Sequence, residues 1–528
     1  MPPVGWWLPV LHAHLPYVRH PEYPQFLEED WFFEALTETY VPLVRVLDGL
    51  TRDGVDFRLT MTLSPTLLSM LSDELLVSRY ERHIDKLVAL AEREVERTGR
   101  DDPRFHDAAC FYRQEFTDVR RIFREQYGSD LLRAFRRHAD DGRLEILTCG
   151  ATHGFLPLMD PVPEAVRAQI RVGVQTHRRL LGRDPLGIWL PECGYLPGHE
   201  TFLLDAGLRY TFLEAHGLEH AHPRPNHGVL APVASPAGVV FFGRDMESSR
   251  QVWSAEAGYP GDPDYREFYK DVGWDLPLED LQDVLSDGLR RNLGIKYYRV
   301  TGQVDLGDKQ PYVRAWALAR AQVHAAHFLD RRREQVRAAA ESMDRPPLVV
   351  SPYDAELFGH WWYEGPQFLD ALFRLLAEQD EIAPTTAPEY LARQPDVEVS
   401  QPPMSTWGAQ GYAEVWLNPG NDWIYVHLDA AAERMVELAR RFDAPDDLER
   451  RALNQAAREL LLAQSSDWAF IMKTGTTVEY ATKRTRDHIA RFAWLYRALT
   501  EGGLDPDVLA EFESRDNLFP DIDYRVYG

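Results

Sequence analysis

VGWWLPVLHA (residues 4–13) reads as a buried apolar strand, and its continuation HLPY puts two histidines, His12 and His14, just where that strand ends. Working outward, WFFEALTETYVPLVRVLDGL (31–50) carries Leu36, Tyr40, Leu43, Val44 and Leu47 at helical spacing. FRLTMTL (57–63) is a second strand, halted at Ser64-Pro65, and helices are predicted over 66–98 and 106–140. Strand RLEILTCG (143–150), helix 163–182, strand GIWLPECGY (187–195), strands 209–215 and 239–245, helices 277–293 and 311–342, and strand PLVVSPYD (347–354) follow. Strands that alternate with helices make βαβ units and a mainly parallel sheet. So many repetitions before residue 400 favour a closed barrel over an open doubly wound sheet.

The proline-rich stretch APTTAPEYLARQPDVEVSQPPM (383–404) separates this pattern from helical text at 427–442, 446–465, 476–499 and 505–514. A boundary near 400 follows: residues 1–400 form the α/β part, and residues 401–528 an α-helical C-terminal domain. Length alone gives 528 residues and a prior of three to four domains, which one barrel of 250 residues or more reduces.

Composition narrows the partners. The chain is 45% hydrophobic and 12% aromatic, enough for a large core. With 58 basic against 83 acidic residues it carries a net charge of −25. That disfavours both nucleic acid and an anionic membrane surface, and suits a neutral ligand such as a sugar. No stretch approaches the about 20 apolar residues of a membrane span. Three cysteines (Cys110, Cys149, Cys193) without a CxxC make no disulfide framework, and the start lacks a basic leader, so a cytoplasmic location is expected. Neither GxGxxG nor GxxxxGK[ST] follows a strand, which disfavours nucleotide chemistry.

The chemistry-bearing residues share one position. His12 and His14 follow the first strand, His153 the third, Glu192 the fourth, and Asp354 ends the strand at 347–354. In a βα barrel those ends converge on one face. Each residue has a plainer reading: Glu192 bonded to nearby backbone, Asp354 an N-cap for the segment after it, Glu356 and His360 an i, i+4 pair. Trp361, Trp362 and Tyr363 beside these acids suit a sugar platform, because pyranose C–H faces pack on aromatic rings. His12-x-His14 with His153 fits a zinc or other divalent-metal site, a satisfied polar cluster, or contacts to sugar hydroxyls. Arg244, Trp253, Trp407, Trp416, Asp467 and Trp468 lie in further distinctive segments. Trp253 and Trp416, taken alone, read as packing.

HAHLPY (12–17), GATHGFLP (150–157), WLPECGY (189–195), SPYDAELFGHWWYEGP (351–366) and SSDWAF (465–470) together resemble the five sequence blocks of glycoside hydrolase family 57, in order and across the whole chain. QVWSAEAGYPG (251–261) and STWG (405–408) bring it nearest the family's α-1,4-glucan branching group. The resemblance implies an incomplete (β/α)7 barrel with a helical C-terminal domain, acting on α-glucan with retention. It implies Glu192 as nucleophile and Asp354 as general acid/base. His12, His14 and His153 would line the donor subsites, and Arg244, Gly261, Trp407 and Asp467 would contact substrate. Trp253, Trp361 and Trp468 complete the candidate substrate contacts. No metal and no cofactor is required. Tyr353, Trp361 or Trp362 would bury Asp354 and help it hold a proton.

One departure bears on activity. Branching members often carry, after the strand matching 209–215, a longer loop with a Tyr that caps the site; here GLEHAHPRPNHGVLAPV (217–233) is short and holds none. Tyr259 or Tyr265 would have to substitute. An amylase-like hydrolase or 4-α-glucanotransferase is the alternative within the family. A metal-dependent carbohydrate deacetylase using the three histidines, or a glycan-binding protein without catalysis, are more remote.

Overall fold

The computed structural model describes residues 3–253 and 258–528; positions 254–257, within QVWSAEAGYPG, lie outside the described residues. Seven strands build the barrel: β1 (Gly5–Ala13), β2 (Leu59–Leu63), β3 (Leu144–Cys149), β4 (Ile188–Trp189), β5 (Tyr210–Leu213), β6 (Val240–Gly243) and β7 (Leu348–Asp354). β4, β3, β2, β1 and β7 are neighbours in one parallel sheet, and β5 pairs in parallel with β6. A parallel bridge between Gly187 and Tyr210 joins β4 to β5. The last seam, between β6 and β7, carries no strand ladder, and the Asp245 N–H donating to the Val350 carbonyl (2.8 Å) crosses it. The barrel is therefore incomplete, in agreement with the expected architecture.

Strand alternation explains which side chains fill it. Trp6, Leu8 and Val10 of β1, Leu147 and Cys149 of β3, Trp189, Phe212, Phe242, Leu348 and Val350 form one buried cluster inside the barrel. Residues of opposite parity, such as Trp7, Leu11, Met61 and Ile146, join the larger core under the surrounding helices. Gly173 lets helix Pro163–Leu181 lie against β3, since a Cβ there would sit 2.2 Å from the Cys149 carbonyl oxygen. Because His12 and Asp354 continue the inward columns, the packed interior ends in polar groups at the C-terminal face.

Several expected elements take a different form. The helix of 31–50 runs over 29–52 with a π-helical stretch at Ala35–Tyr40. The predicted helix 66–98 breaks where Asp73 caps Glu74–Asp101, and 106–140 breaks at Gly128-Ser129, both at positive φ. No helix spans 277–293, where a single turn at Leu278–Leu281 forms. There the buried Asp271 carboxylate accepts the N–H groups of Gly273, Leu293 and Gly294 and ties the segment into a loop. Of 187–195 a two-residue strand survives, followed by a turn at Pro191–Cys193. Beyond residue 420, helices Trp423–Arg441, Asp447–Ala463, Ser466–Thr474, Val478–Glu501 and Pro506–Arg515 pack on the barrel. Among the described residues no helix is long and apolar enough to cross a membrane.

Candidate active site

The strand ends open into a cleft of about 830 Å³ whose walls include His12, His14, His153, Glu192, Arg244, Trp253, Asp354, Trp361, Trp407 and Asp467. Ten of the twelve residues picked from sequence thus meet in one place. Two do not. Trp468 is 1% exposed and donates its indole N–H to the Leu462 carbonyl at 2.8 Å, facing Tyr480 in the helical core. It packs because it follows Asp467 on a helix, where adjacent residues point different ways. Gly261 ends the turn Tyr259–Gly261 away from the described cleft wall.

Glu192 sits in a turn with φ 61°, and Cys193 (φ 49°) and His153 (φ 57°) also have positive φ. Non-glycine residues held there store strain, a pattern concentrated at functional sites. The Glu192 carboxylate accepts from the Trp407 indole N–H at 2.8 Å and from the Ser466 hydroxyl at 3.0 Å. Both donors belong to segments past residue 400, which backbone bridges Tyr195–Ser405 and Gly154–Ser465 stitch to the barrel. Burial pushes Glu192 up to about 7; Asp467 adds to this, and the two donors oppose it.

Asp354 ends β7 in register with His12 of β1. Burial, then the Glu356 and Glu192 charges, raise it well above the usual carboxylate range, with Arg244 opposing. The aromatics expected to bury it do otherwise. Tyr353 points outward and donates to the Ser248 carbonyl, because it lies one residue out of step with Asp354. Trp362 and Tyr363 are buried in the core, and of that trio Trp361 alone, 54% exposed, faces the cleft, stacked on Phe268 at 4.4 Å. Trp253 also lines the cleft and is 42% exposed, while Trp416 is buried and stacks on Phe155 at 4.5 Å.

The histidines form a stack. His14 and His153 lie face to face at 3.8 Å, and the Nε2 atoms of His12 and His153 share a hydrogen bond of 2.9 Å. His12 stacks on Trp189 at 4.9 Å. Burial and the neighbouring imidazoles push His12 and His153 far below the ordinary range, so both are neutral. His14 bonds Ser64 through Nδ1 (2.9 Å) and Asp467 through Nε2 (3.0 Å). Burial works against the Asp467 charge, yet His14 beside it holds the acid down to about 2.

His14, His153 and Asp467 place ligand atoms within 4.8 Å of one another, the donor set a divalent ion would need. Their ring geometry fits such an ion badly. Imidazole lone pairs lie in the ring plane, and two rings stacked 11° from parallel direct them side by side rather than to one point. An ion shared by both would sit well out of each plane.

Sequence reasoning missed four contributors. Glu214, at the end of β5, accepts from Arg244 at 2.9 Å and fixes it over the Trp407 ring; its strand-end position was a readable signal. Ser466 bonds both Glu192 and His153 Nδ1 (2.8 Å). Tyr40 donates to Glu356, and Glu38 takes His360 at 2.7 Å, so the anticipated Glu356–His360 pair does not form. Tyr259 and Tyr265 bond His327 and His324 behind the cleft wall and do not cap it.

Comparison with known proteins agrees with this geometry. The profile of glycosyl hydrolase family 57 matches residues 10–403, and that of the 1,4-alpha-glucan branching enzyme C-terminal region matches 427–527. The crystal structure of the alpha-amylase AmyC from Thermotoga maritima is 46% identical, with 99% of both chains covered and a TM-score of 0.93. A 1,4-alpha-glucan branching enzyme of Thermococcus kodakarensis is 34% identical over 97% of this chain and 76% of its own length. The branching enzyme of Pyrococcus horikoshii is 33% identical in its crystal structure, covering 99% and 97% of the two chains with a TM-score of 0.89. With its cleft, its seven-stranded frame and a profile match spanning most of its length, the chain belongs to glycoside hydrolase family 57.

Proposed function

We propose that the protein cleaves α-1,4 linkages of a glucan with retention and passes the released chain to a 6-hydroxyl, as a 1,4-α-glucan branching enzyme. The observation that carries this is the unequal setting of two buried carboxyls on one cleft: Trp407 and Ser466 donate to Glu192, while among the described residues no group donates to the Asp354 carboxyl. The two donors favour the charged form of Glu192, whereas burial and the facing Glu356 and Glu192 charges raise Asp354 well above the usual carboxylate range, so the charge rests on Glu192 and the proton on Asp354. Glu192 attacks the anomeric carbon as the C1–O bond breaks, and the Asp354 proton goes to the departing oxygen. Asp354, now a base, takes the proton of the acceptor hydroxyl, whose oxygen displaces Glu192. Arg244, His14 and Asp467 hold sugar hydroxyls, and Trp361 with Trp253 supports pyranose faces. Residues 401–528 act as a helical domain that completes the cleft through Trp407 and Asp467.

The family profile of the C-terminal region and the branching relatives support the acceptor assignment. Hydrolysis is the second reading, favoured by the likeness to the alpha-amylase of Thermotoga maritima and by a 217–233 loop without a Tyr. Incubation with linear amylose separates them. Many chains released by a debranching enzyme, with few new reducing ends, mean branching. Reducing ends without debranchable chains mean a hydrolase. A cytoplasmic role in storage-glucan synthesis fits the first outcome.

A further inference from the structure

One acid in the cleft has no part in the mechanism above. Glu356 stands two residues past Asp354 in the turn Ala355–Leu357 and lines the same cleft. Its Oε1 accepts from the Tyr40 hydroxyl and from the His14 backbone N–H (3.3 Å). Oε2 has no protein partner among the described residues. Neither donating group is charged, and among the described residues Glu356 takes part in no ion pair: Arg244 is engaged by Glu214 and Arg266 by Glu38. A structural buried carboxylate is ordinarily matched by an opposite charge, because an unmatched one is expensive. Burial accordingly raises Glu356 to about 7.

The fold nevertheless clamps it. Gly359 presses on the π-helical stretch, and a Cβ there would lie 1.9 Å from the Glu38 carbonyl oxygen. His360 is tied to Glu38, and the Trp361 N–H returns to the Glu356 carbonyl at 3.2 Å. The charged and titratable groups facing Glu356 are Tyr40 on the long helix, with Glu34, Glu38 and His360 beyond it. His14, paired with Asp467, meets it from the β1 exit through its amide, Asp354 precedes it on its own strand, and Glu192 and Arg244 line the same cleft. Glu356, two residues past Asp354 on the same cleft, is with Glu192 a like charge that raises Asp354.

We propose that Glu356 is a positioning residue for the reaction: its carboxylate, fixed by Tyr40 and the His14 amide and outside any ion pair among the described residues, keeps the acid proton on Asp354 and sets the alkaline edge of activity. This rests on Asp354 being the acid. A neutral residue at 356 releases that proton at lower pH, whereas Glu192, held by Trp407 and Ser466, is little affected. The pH profile then narrows from one side.

The test compares wild type, Glu356→Gln, Glu356→Asp and Asp354→Asn on a maltooligosaccharide and, as first-turnover fluoride release, on an α-maltosyl fluoride, whose leaving group needs little proton assistance. For Glu356→Gln the alkaline limb of kcat/KM on the maltooligosaccharide should fall by about one pH unit while the acid limb stays. Glu356→Asp should restore the limb, and the fluoride should hide the defect. A uniform loss on both donors with unmoved limbs would overturn the proposal. If Asp354→Asn is inactive on the maltooligosaccharide and the Glu356→Gln profile overlays wild type, the proposal alone fails. If Asp354→Asn turns the maltooligosaccharide over at the wild-type rate, the acid assignment beneath it fails too.

Discussion

Trp407→Phe isolates the hydrogen bond that favours the charged form of Glu192, the proposed nucleophile. The indole N–H reaches Glu192 Oε2 at 2.8 Å, while the ring lies 5.0 Å from Trp189 and beneath Arg244. Phenylalanine retains an aromatic ring there and removes the donor. A hydrogen bond to a charged group is worth roughly 1.5–3 kcal/mol, and one pKa unit corresponds to about 1.4 kcal/mol. Glu192, now about 7, should therefore rise by about one to two units. At pH 7 its ionised fraction falls from about a half to between about a tenth and a hundredth, a loss of about five- to fiftyfold in the first step. Fluoride release from an α-maltosyl fluoride is the assay, since the alkaline titration of Asp354 intrudes least there. The acid limb of kcat/KM should move up by the same one to two units, with most activity recovered at high pH. An acid limb at its wild-type position with a pH-independent drop would refute the reasoning and make Trp407 a sugar contact.

Glu192→Gln and Asp354→Asn should each lower amylose turnover by about a thousandfold or more with an unchanged circular dichroism spectrum; near-wild-type rates in either would remove it from the chemistry. Gly359→Ala meets both a φ of 116° and the Glu38 carbonyl, so it should cost at least about 1–3 kcal/mol and detach the 355–363 turn, read as a lower Tm and lost activity. His177 is fully buried in helix Pro163–Leu181 with neither ring nitrogen bonded among the described residues, and burial holds it down to about 3. It is neutral when folded and protonates below about 6.5 when unfolded, so it erodes stability as pH falls from 6.5 toward 3. His177→Leu should gain about 2 kcal/mol more at pH 5 than at pH 8, from a slope of about 1.4 kcal/mol per pH unit; equal gains at both would contradict a neutral buried imidazole.

The barrel was legible because its signal is local. Each strand is a short apolar run closed by a polar residue, and strand parity then decides that His12 and Asp354 point inward. Helix breaks were less legible where the cause is distant in sequence: the loop at 271–294 exists because Asp271 gathers three amides, which no periodicity within 277–293 announces. The same limit governed the site. Strand-end position found His12, Glu192 and Asp354, and would have found Glu214. It could not show that Glu38 rather than Glu356 takes His360, since those partners are 322 residues apart. Residue type misled at Trp361, Trp362 and Tyr363, where three adjacent aromatics suggest one platform but the turn sends Trp361 into the cleft and the others into the core.

That division bears on the acceptor question. The groups proposed to cleave the bond, Glu192 and Asp354, come from strand ends and are written in the motifs. What decides between a 6-hydroxyl and water is the outer wall, formed by loops whose side chains are placed by partners far along the chain. Tyr259 and Tyr265 illustrate it: both sit near the right segment, and both are turned away by His327 and His324. With no tyrosine over the cleft from these positions, water exclusion in a transferase would fall to the exposed Trp253 and Trp361 and to bound glucan itself. Replacing Trp361 with Ala should then raise the ratio of reducing ends to new branches on amylose, and an unchanged ratio with a simple loss of affinity would restrict Trp361 to binding.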